Sequence, residues 1–173
     1  MKVTLASYHT IMMRHGGPMT HILQMKKHLE KLGIQIKMMD IWESRSDILQ
    51  TDLFHLHAAT IGVYDLAGYL NSLNIKFVVR PIFFTRRSAR TIRTVCKVND
   101  LAQHIAPAIW SDYSITRDIC NWSQRVLPNT SAEARLIRDG LSISEKKITV
   151  IPNGVENRFA EADPYLFYNK YGI

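Results

Sequence analysis

Two adjacent glycines stand between a short apolar stretch and an amphipathic one. Gly16 and Gly17 are followed by Pro18, which suits the first turn of a helix. Glycines let backbone N–H groups approach a phosphate, and a helix N-terminus favours negative charge. The spacing matches neither the dinucleotide fingerprint G-x-G-x-x-G nor the GK[ST] ending of a P-loop. The pair therefore predicts either a phosphate-binding loop or a plain tight turn.

Two histidines alternate in a predicted strand and therefore share one of its faces, His55 and His57. Alternate histidines could bind a metal, but no third ligand is evident, so no metal site is predicted. His57 is nearer the carboxyl end of the strand, where open α/β sheets bind their ligands. It is expected to line a cleft, and the alternative is a hydrogen-bonded histidine at a strand end.

Positive charge is concentrated in one window of the chain. There are 22 Lys+Arg and 15 Asp+Glu, a formal charge of +7, and no acid lies between Asp65 and Asp100. Four side chains of this window would share one face if it is helical: Arg86, Arg90, Arg93 and Lys97. The window predicts a solvated helix face, or contact with phosphate on an acceptor or an anionic membrane. Nucleic acid is not expected, since no helix-turn-helix, zinc-ligand set or stacking-aromatic array accompanies the charge.

Short apolar stretches alternate with helical patterns along the chain. Strands are predicted at 3–7, 34–39, 53–57, 76–80, 125–127 and 147–151. Helices are predicted at about 18–32, 62–73, 88–122 and 131–140, with Thr130 and Glu133 forming a capping box and Gly33 ending the first helix. This alternation predicts an α/β, Rossmann-like, doubly wound fold with a mostly parallel sheet and helices on both faces.

Length and composition exclude several classes of protein. With 173 residues, 46% of them apolar, the chain can bury a core and is not intrinsically disordered. Cys96 and Cys120 cannot make a disulfide scaffold. No apolar run approaches the roughly 20 residues of a membrane span. A cytoplasmic protein is expected, with peripheral membrane contact as an additional expectation.

The last third of the chain carries a specific resemblance to a known family. Residues 147–156, KITVIPNGVE, followed by Phe159, resemble the KI-x-VIPNGVD-x-x-F signature of glycosyltransferase family 4. Residues 16–33 resemble the family's first glycine loop and helix, with His21 at a frequent histidine of the family. Residues 52–57, 75–81 and 126–140 are similar to further segments of the family, in the same order.

The resemblance implies the N-terminal, acceptor-side half of a two-domain GT-B enzyme, covering residues 1–156, with 157–173 beginning an interdomain linker. The whole enzyme would move a sugar from a nucleotide-sugar to an acceptor hydroxyl, with retention of configuration. Gly16 and Gly17 would lie at the donor phosphates. His57, Arg80 and Arg86 would line the acceptor side. The hinge would be shaped by Pro152, Asn153, Gly154 and Glu156.

Two details of the signature segments carry further expectations. Gly154 would supply a backbone shape that other residues resist. Ile82 stands where many members of the family have a histidine at the acceptor site, and Phe83 where many have a glycine. No general base or other catalytic residue is therefore assigned, and a bulkier, more apolar acceptor pocket is expected.

The resemblance ends before the family's C-terminal donor domain, which is therefore expected to be absent from this chain. The isolated chain is therefore expected to bind no cofactor and to be inactive, with a nucleotide-sugar donor expected only for the whole enzyme. Its expected partners are a donor domain or separate donor subunit, a sugar or lipid-linked acceptor, and an anionic membrane. One alternative is a non-catalytic Rossmann-like docking subunit. Another is a nucleotide-dependent oxidoreductase, against which the missing dinucleotide fingerprint argues.

Overall fold

The computed structural model describes residues 1–13, 16–40, 42, 45–106, 109–155 and 163–172. Within these ranges the strands are β1 (Lys2–Ser7), β2 (Gln35–Met38), β3 (Leu53–His57), β4 (Phe77–Arg80) and β5 (Arg125–Val126). The α-helices are α1 (Gly17–Lys31), α2 (Arg45–Leu49), α3 (Ile61–Ser72), α4 (Ala89–Ile105), α5 (Asp112–Trp122), α6 (Ser131–Gly140) and α7 (Pro164–Tyr171). None of these helices combines the length and apolar character needed to cross a lipid bilayer.

The five strands form one parallel sheet in the order β2-β1-β3-β4-β5. The chain steps from β1 to β2 on one side and then returns past β1 to β3 on the other. The strand order therefore reverses between β1 and β3, and doubly wound sheets bind ligands beyond the carboxyl ends of strands at such a point. Ser7 and His57, the last residues of these two strands, are paired in register. The predicted Rossmann-like α/β architecture is confirmed.

The two faces of the sheet have different cores. One face buries Phe54, Leu56 and Val79 against side chains of α3, α4, α5 and α6. The other buries Val3 and Leu5 against Ile22 of α1. Because side chains alternate along a strand, residues in register with Leu5 lie on the α1 face. That face becomes polar at the carboxyl ends of β3 and β4.

Two local signals at helix ends behave differently in the structure. Gly33 has φ +76 just beyond the C-cap of α1, as predicted, and Ile34 N–H bonds the Leu29 carbonyl at 3.2 Å in a Schellman motif. Thr130 caps α6 by accepting from the Glu133 N–H at 3.0 Å. The reciprocal half of the predicted capping box is wrong, because the Glu133 carboxylate bonds other backbone groups.

The predicted sixth strand at 147–151 is wrong. This segment starts in a 3₁₀ turn, Glu145–Lys147, and forms an isolated bridge between Ile148 and Val126. Thr149 and Ile151 still donate to the carbonyls of Val126 and Pro128, each at 2.9 Å. Pro128 has no N–H with which to return the next ladder bond, so regular pairing stops there.

The predicted helix at 88–122 is two helices. The first, α4, begins after Ser88, whose Oγ accepts from the Thr91 N–H at 3.2 Å. Arg86 therefore precedes the helix and does not share its face, contrary to prediction. The second helix, α5, begins at a capping box made by Ser111 and Ser114, a local signal that was not recognised in the sequence.

Two helical glycines are expected to respond oppositely to alanine. A Cβ at Gly140 would lie 3.1 and 3.2 Å from side-chain atoms of buried Ile92, so Gly140→Ala should lower the free energy of unfolding by about 1–3 kcal/mol. A Cβ at Gly68 would meet the Trp122 ring at 3.7 Å, an ordinary contact, so Gly68→Ala should raise it by about 0.5–1 kcal/mol. Urea unfolding of both variants checks this, and changes of the same sign would contradict it.

Candidate functional site

Backbone strain lies at the carboxyl ends of β3 and β4. Ala58 has φ +90 and Ile82 has φ +54, in a region that residues with a Cβ rarely adopt. Two backbone hydrogen bonds hold the segments that follow these strands together. The N–H of Ala58 donates to the Arg80 carbonyl at 2.8 Å, and the N–H of Ala59 donates to the Pro81 carbonyl at 3.1 Å. Strain of this kind collects at functional sites. It therefore marks this edge of the sheet as the candidate site.

The central side chain of the site is Arg80, which is only 2% exposed. One guanidinium nitrogen bonds Nε2 of His21 and donates to Oδ1 of Asn153 at 3.0 Å. The other donates to the backbone carbonyl of Ile151. Arg80 therefore joins the end of β4 to α1 and to the segment before Gly154, across 59 and 73 residues of sequence.

The charge of Arg80 has an unusual environment. No carboxylate among the described residues forms an ion pair with it, and its Nε has no hydrogen-bond partner within those residues. Burial lowers the pKa of Arg80, and the negative charge of Glu133 raises it in part. Arginine stays protonated in proteins, so the site contains a fixed positive charge beneath its surface.

Three histidines surround this charge in neutral form. The guanidinium only donates, so Nε2 of His21 accepts, and the pKa of His21 is lowered by burial and by Arg80. The rings of His55 and His57 stack with centroids 4.3 Å apart. Burial is the largest cause that lowers the pKa of His55 to about 4 and that of His57 to about 2.

His57 is 1% exposed, so it is buried behind His21 rather than lining a cleft as predicted. Its Nε2 and that of His55 have no hydrogen-bond partner among the described residues. Within the same part of the chain, no group of three or more His, Cys, Asp or Glu side chains could hold a metal ion. These imidazoles therefore act in the structure as neutral, buried groups beside a cation.

A groove of about 600 Å³ opens between α1 and the segment ending at Val155. Its walls include Gly17, Thr20 and His21 from the start of α1, with Asn153 and Gly154 opposite. The structure thus brings together the predicted phosphate loop and the predicted hinge signature. His21 was not among the site residues predicted from the sequence, yet it lines the groove, and its match to a frequent family histidine was the signal that could have found it.

The start of α1 leaves backbone donors uncapped at this groove. Gly16 is the N-cap and has no side chain to accept from the first turn, and that turn contains no acidic residue. Pro18 removes one donor, which leaves the N–H groups of Gly17 and Met19 without an intrahelical acceptor, and of these two residues Gly17 lines the groove. Together with Arg80 beneath the surface, these groups make the groove favourable for an anion.

The fold does not require glycine at the two glycine positions of the groove. An added Cβ at Gly17 or at Gly154 would meet nothing within 4 Å. Among the described glycines, positive φ occurs at Gly33 and Gly172, so the expectation that Gly154 supplies a special backbone shape is wrong. What these glycines provide is open space in the groove.

A second cavity, of about 560 Å³, lies beyond the ends of β3 and β4 on the other side of the sheet edge. Its lining is mostly apolar and includes Ile82, Phe83, Phe84 and Tyr113. The predicted acceptor-side residues do not line it. Arg80 and His57 lie on the α1 face, and Arg86 is exposed in the loop before α4.

The remaining predicted site residues fall in three places. Pro152 is exposed between Ile151 and Asn153. Arg90, Arg93 and Lys97 are exposed on α4, and Arg93 is partly engaged because its guanidinium donates to the Asp139 carbonyl. Glu156 lies outside the described residues, as does the domain boundary predicted at 156–157.

Comparisons with known proteins identify no family for this chain. No model of a known protein family matches this chain, and no curated protein matches it. A solved structure of a D-2-hydroxyisocaproate dehydrogenase is similar with 8% sequence identity and a TM-score of 0.28. The likeness covers 88% of this chain, which spans 58% of the length of that protein. A likeness at this level carries no argument about function.

Proposed function

We propose that this chain is the acceptor-side half of a GT-B glycosyltransferase, which moves a sugar from a nucleotide-sugar to an acceptor hydroxyl. The observation that carries the proposal is the groove between Gly17 and Gly154. It joins two segments that resemble parts of glycosyltransferase family 4 and are far apart in the sequence. Both glycines leave space that the fold itself does not use.

The chemistry of the groove suits the diphosphate of a donor that a second domain would bind. The uncapped N–H groups of α1 and the fixed charge of Arg80 favour negative charge, and they require no reorganisation as charge develops on a leaving phosphate. The apolar cavity beside Phe83 would take the acceptor. A carboxylate or other protein base is not assigned, because the departing phosphate would accept the acceptor proton.

Replacing Gly17 tests the proposal because folding and function should separate. Gly17→Val in the protein expressed from the gene that contains this chain is expected to keep its thermal unfolding midpoint, since the Cβ meets open space. We expect it to lose at least about 100-fold in release of nucleoside diphosphate from a nucleotide-sugar panel, because the side chain would displace the donor phosphates. Gly68→Ala, on α3, is the matched glycine control.

Three outcomes would contradict the proposal, either its assignment of the groove or the activity itself. A Gly17→Val variant as active as the wild type would remove the groove from the reaction. A wild-type protein that releases nucleoside diphosphate from no donor, yet binds a separate donor-domain chain, would indicate the non-catalytic docking subunit. Saturable binding of a reduced nicotinamide cofactor would favour an oxidoreductase.

A further inference from the structure

Helix α4 has an exposed face without a packing partner among the described residues. Ile92, Cys96 and Asn99 are buried on its inner side. On the outer side lie basic residues in the first half of the helix and apolar residues in the second half. The apolar residues are Val98, Leu101 and Ile105, and the last two are 69% and 86% exposed. Exposed apolar side chains grouped on one helix face mark an interaction surface.

The basic and apolar groups point in the same direction. With 3.6 residues per turn, Arg90, Lys97 and Leu101 fall within about 40° around the helix axis. Val98 and Ile105 extend the same face to about 100°. A planar partner lying along α4 would therefore meet both groups at once, the charges toward the helix N-terminus and the apolar side chains toward its C-terminus.

The surroundings of α4 reinforce this arrangement. Arg86 and Arg87 are exposed just before the helix. Asp100, the acid within the helix, is already paired with Arg117 at 2.6 Å and so does not neutralise the basic half. At the other end of the helix, Gln103 donates to the Ile109 carbonyl at 3.1 Å. The following residue, Trp110, is half-exposed, and its ring lies 6.4 Å from that of Tyr64 on α3.

Charge and composition distinguish between occupants of this face. A second copy packed antiparallel along this face would lay the basic half of one helix on the apolar half of the other. Arg90 and Lys97 would then be buried against Leu101 and Ile105 without an opposite charge, which opposes such an interface. A nucleic acid would use the basic half but would leave Leu101 and Ile105 exposed, since these aliphatic side chains offer no stacking surface. An anionic bilayer satisfies both halves, with phosphates for the cations and an acyl boundary for the apolar side chains.

We propose that the exposed face of α4 binds the surface of an anionic lipid bilayer. Arg90 and Lys97 contact the headgroup phosphates, and Leu101 and Ile105 enter the boundary between headgroups and acyl chains. This inference goes beyond the proposed function and does not depend on it.

Co-sedimentation with vesicles tests the basic half. Binding is measured with vesicles containing about 30% phosphatidylserine in phosphatidylcholine and with phosphatidylcholine alone, at about 0.1 M salt. The wild type is expected to bind the anionic vesicles preferentially. Arg90→Gln/Lys97→Gln should lower the partition coefficient about 30-fold, since each cation near such a surface contributes about fivefold. Lys27→Gln/Lys31→Gln removes the same charge from exposed positions of α1. Its partition coefficient should stay within about threefold of the wild-type value.

The apolar half has its own variant. Leu101→Gln/Ile105→Gln keeps the charge and the helix propensity and should lower binding to the anionic vesicles by about tenfold or more. Leu23→Gln/Leu32→Gln, at an exposed position of α1 and at its C-cap, is the matched control and should bind as the wild type does. All four variants are at exposed positions, so their thermal unfolding midpoints should stay close to that of the wild type.

Several results would overturn the proposal. Equal pelleting with neutral and anionic vesicles would show that the basic residues of α4 do not drive binding. Unchanged binding of Leu101→Gln/Ile105→Gln would show that the apolar residues do not enter the bilayer. Binding to a duplex DNA of about 20 base pairs in the absence of vesicle binding would assign the face to nucleic acid. If the wild type is a dimer that Leu101→Gln/Ile105→Gln converts to a monomer, and vesicle binding is unaffected, the exposed face of α4 would be assigned to self-association.

Discussion

Lowering the pH from about 7.5 to about 5 is expected to reduce the free energy of unfolding by about 4 kcal/mol through His55 and His57 alone. Both imidazoles are buried, and their pKa values fall from 6.5 to about 4 and about 2. In the unfolded chain they protonate near 6.5, so the unfolded state gains protons that the folded state cannot bind. The contribution of the two histidines to the free energy of unfolding is fully present above the unfolded pKa of 6.5. It is lost as the pH falls from there toward the pKa values of the folded state.

The size of this effect follows from two groups acting together. Each histidine contributes up to about 1.4 kcal/mol per pH unit below its unfolded pKa. A domain of this size has about 5–15 kcal/mol in total, so the pair accounts for a large share of it. Burial is the largest cause that opposes protonation of both rings, and the fixed charge of Arg80 opposes it as well.

Urea unfolding at several pH values between about 5 and 7.5 measures the dependence. His57→Gln should lose about half of it, whereas His28→Gln, at an exposed position of α1, should retain all of it. Imidazole proton resonances provide a second measurement in the wild-type protein. The signals of His55 and His57 should not titrate over this range, and a normal titration of either ring would contradict the prediction.

Removing the carboxylate of Glu133 is expected to lower the free energy of unfolding by about 3 kcal/mol or more. Its Oε1 accepts the N–H of Phe83, and its Oε2 accepts the N–H of Asn129, each at 2.7 Å. Glu133 is 8% exposed, so neither amide regains water easily when the side chain is cut to alanine. The change also removes the negative charge that acts on buried Arg80.

Two further variants separate the hydrogen bonds from charge in general. Glu133→Gln keeps one acceptor but turns an amide group toward the second N–H, so about half of the loss is expected. Glu145→Ala removes a surface carboxylate whose contact with Arg138 is 3.5 Å, and should cost about 1 kcal/mol or less. Urea unfolding compares the three variants. Equal small losses for Glu133→Ala and Glu145→Ala would show that the buried bonds contribute little.

Hydrogen exchange of the Phe83 amide measures the effect of the same variant on the candidate site. Phe83 follows Ile82, whose φ of +54 is costly for a β-branched residue. The bond from Phe83 to Glu133 holds this turn at the mouth of the apolar cavity. The Phe83 amide should therefore exchange with solvent much faster in Glu133→Ala. The amide of Ile22, in the other core, should exchange faster only to the extent that the global free energy of unfolding falls.

Local patterns in the sequence predicted the elements that local forces stabilise. The strands Leu53–His57 and Phe77–Arg80 and the helix ending before Gly33 follow from apolar periodicity and from a glycine that adopts positive φ. The predicted strand at 147–151 failed because its neighbour contains Pro128, and pairing depends on both partners. The reciprocal cap of Glu133 failed for a similar reason, since Phe83 competes for the carboxylate from 50 residues away.

The sequence by itself therefore determined the places of the five strands along the chain, the parallel α/β class and the concentration of positive charge before Asp100. Only the tertiary structure decided how Arg80, His21 and Asn153 meet, that His57 is buried, and that Gly17 and Gly154 open onto one groove. The physical reason is the distance along the sequence over which each interaction acts. Periodicity, capping and glycine φ are set by a few neighbouring residues, whereas the desolvation of a charge and the partners of a buried carboxylate depend on every element packed around them.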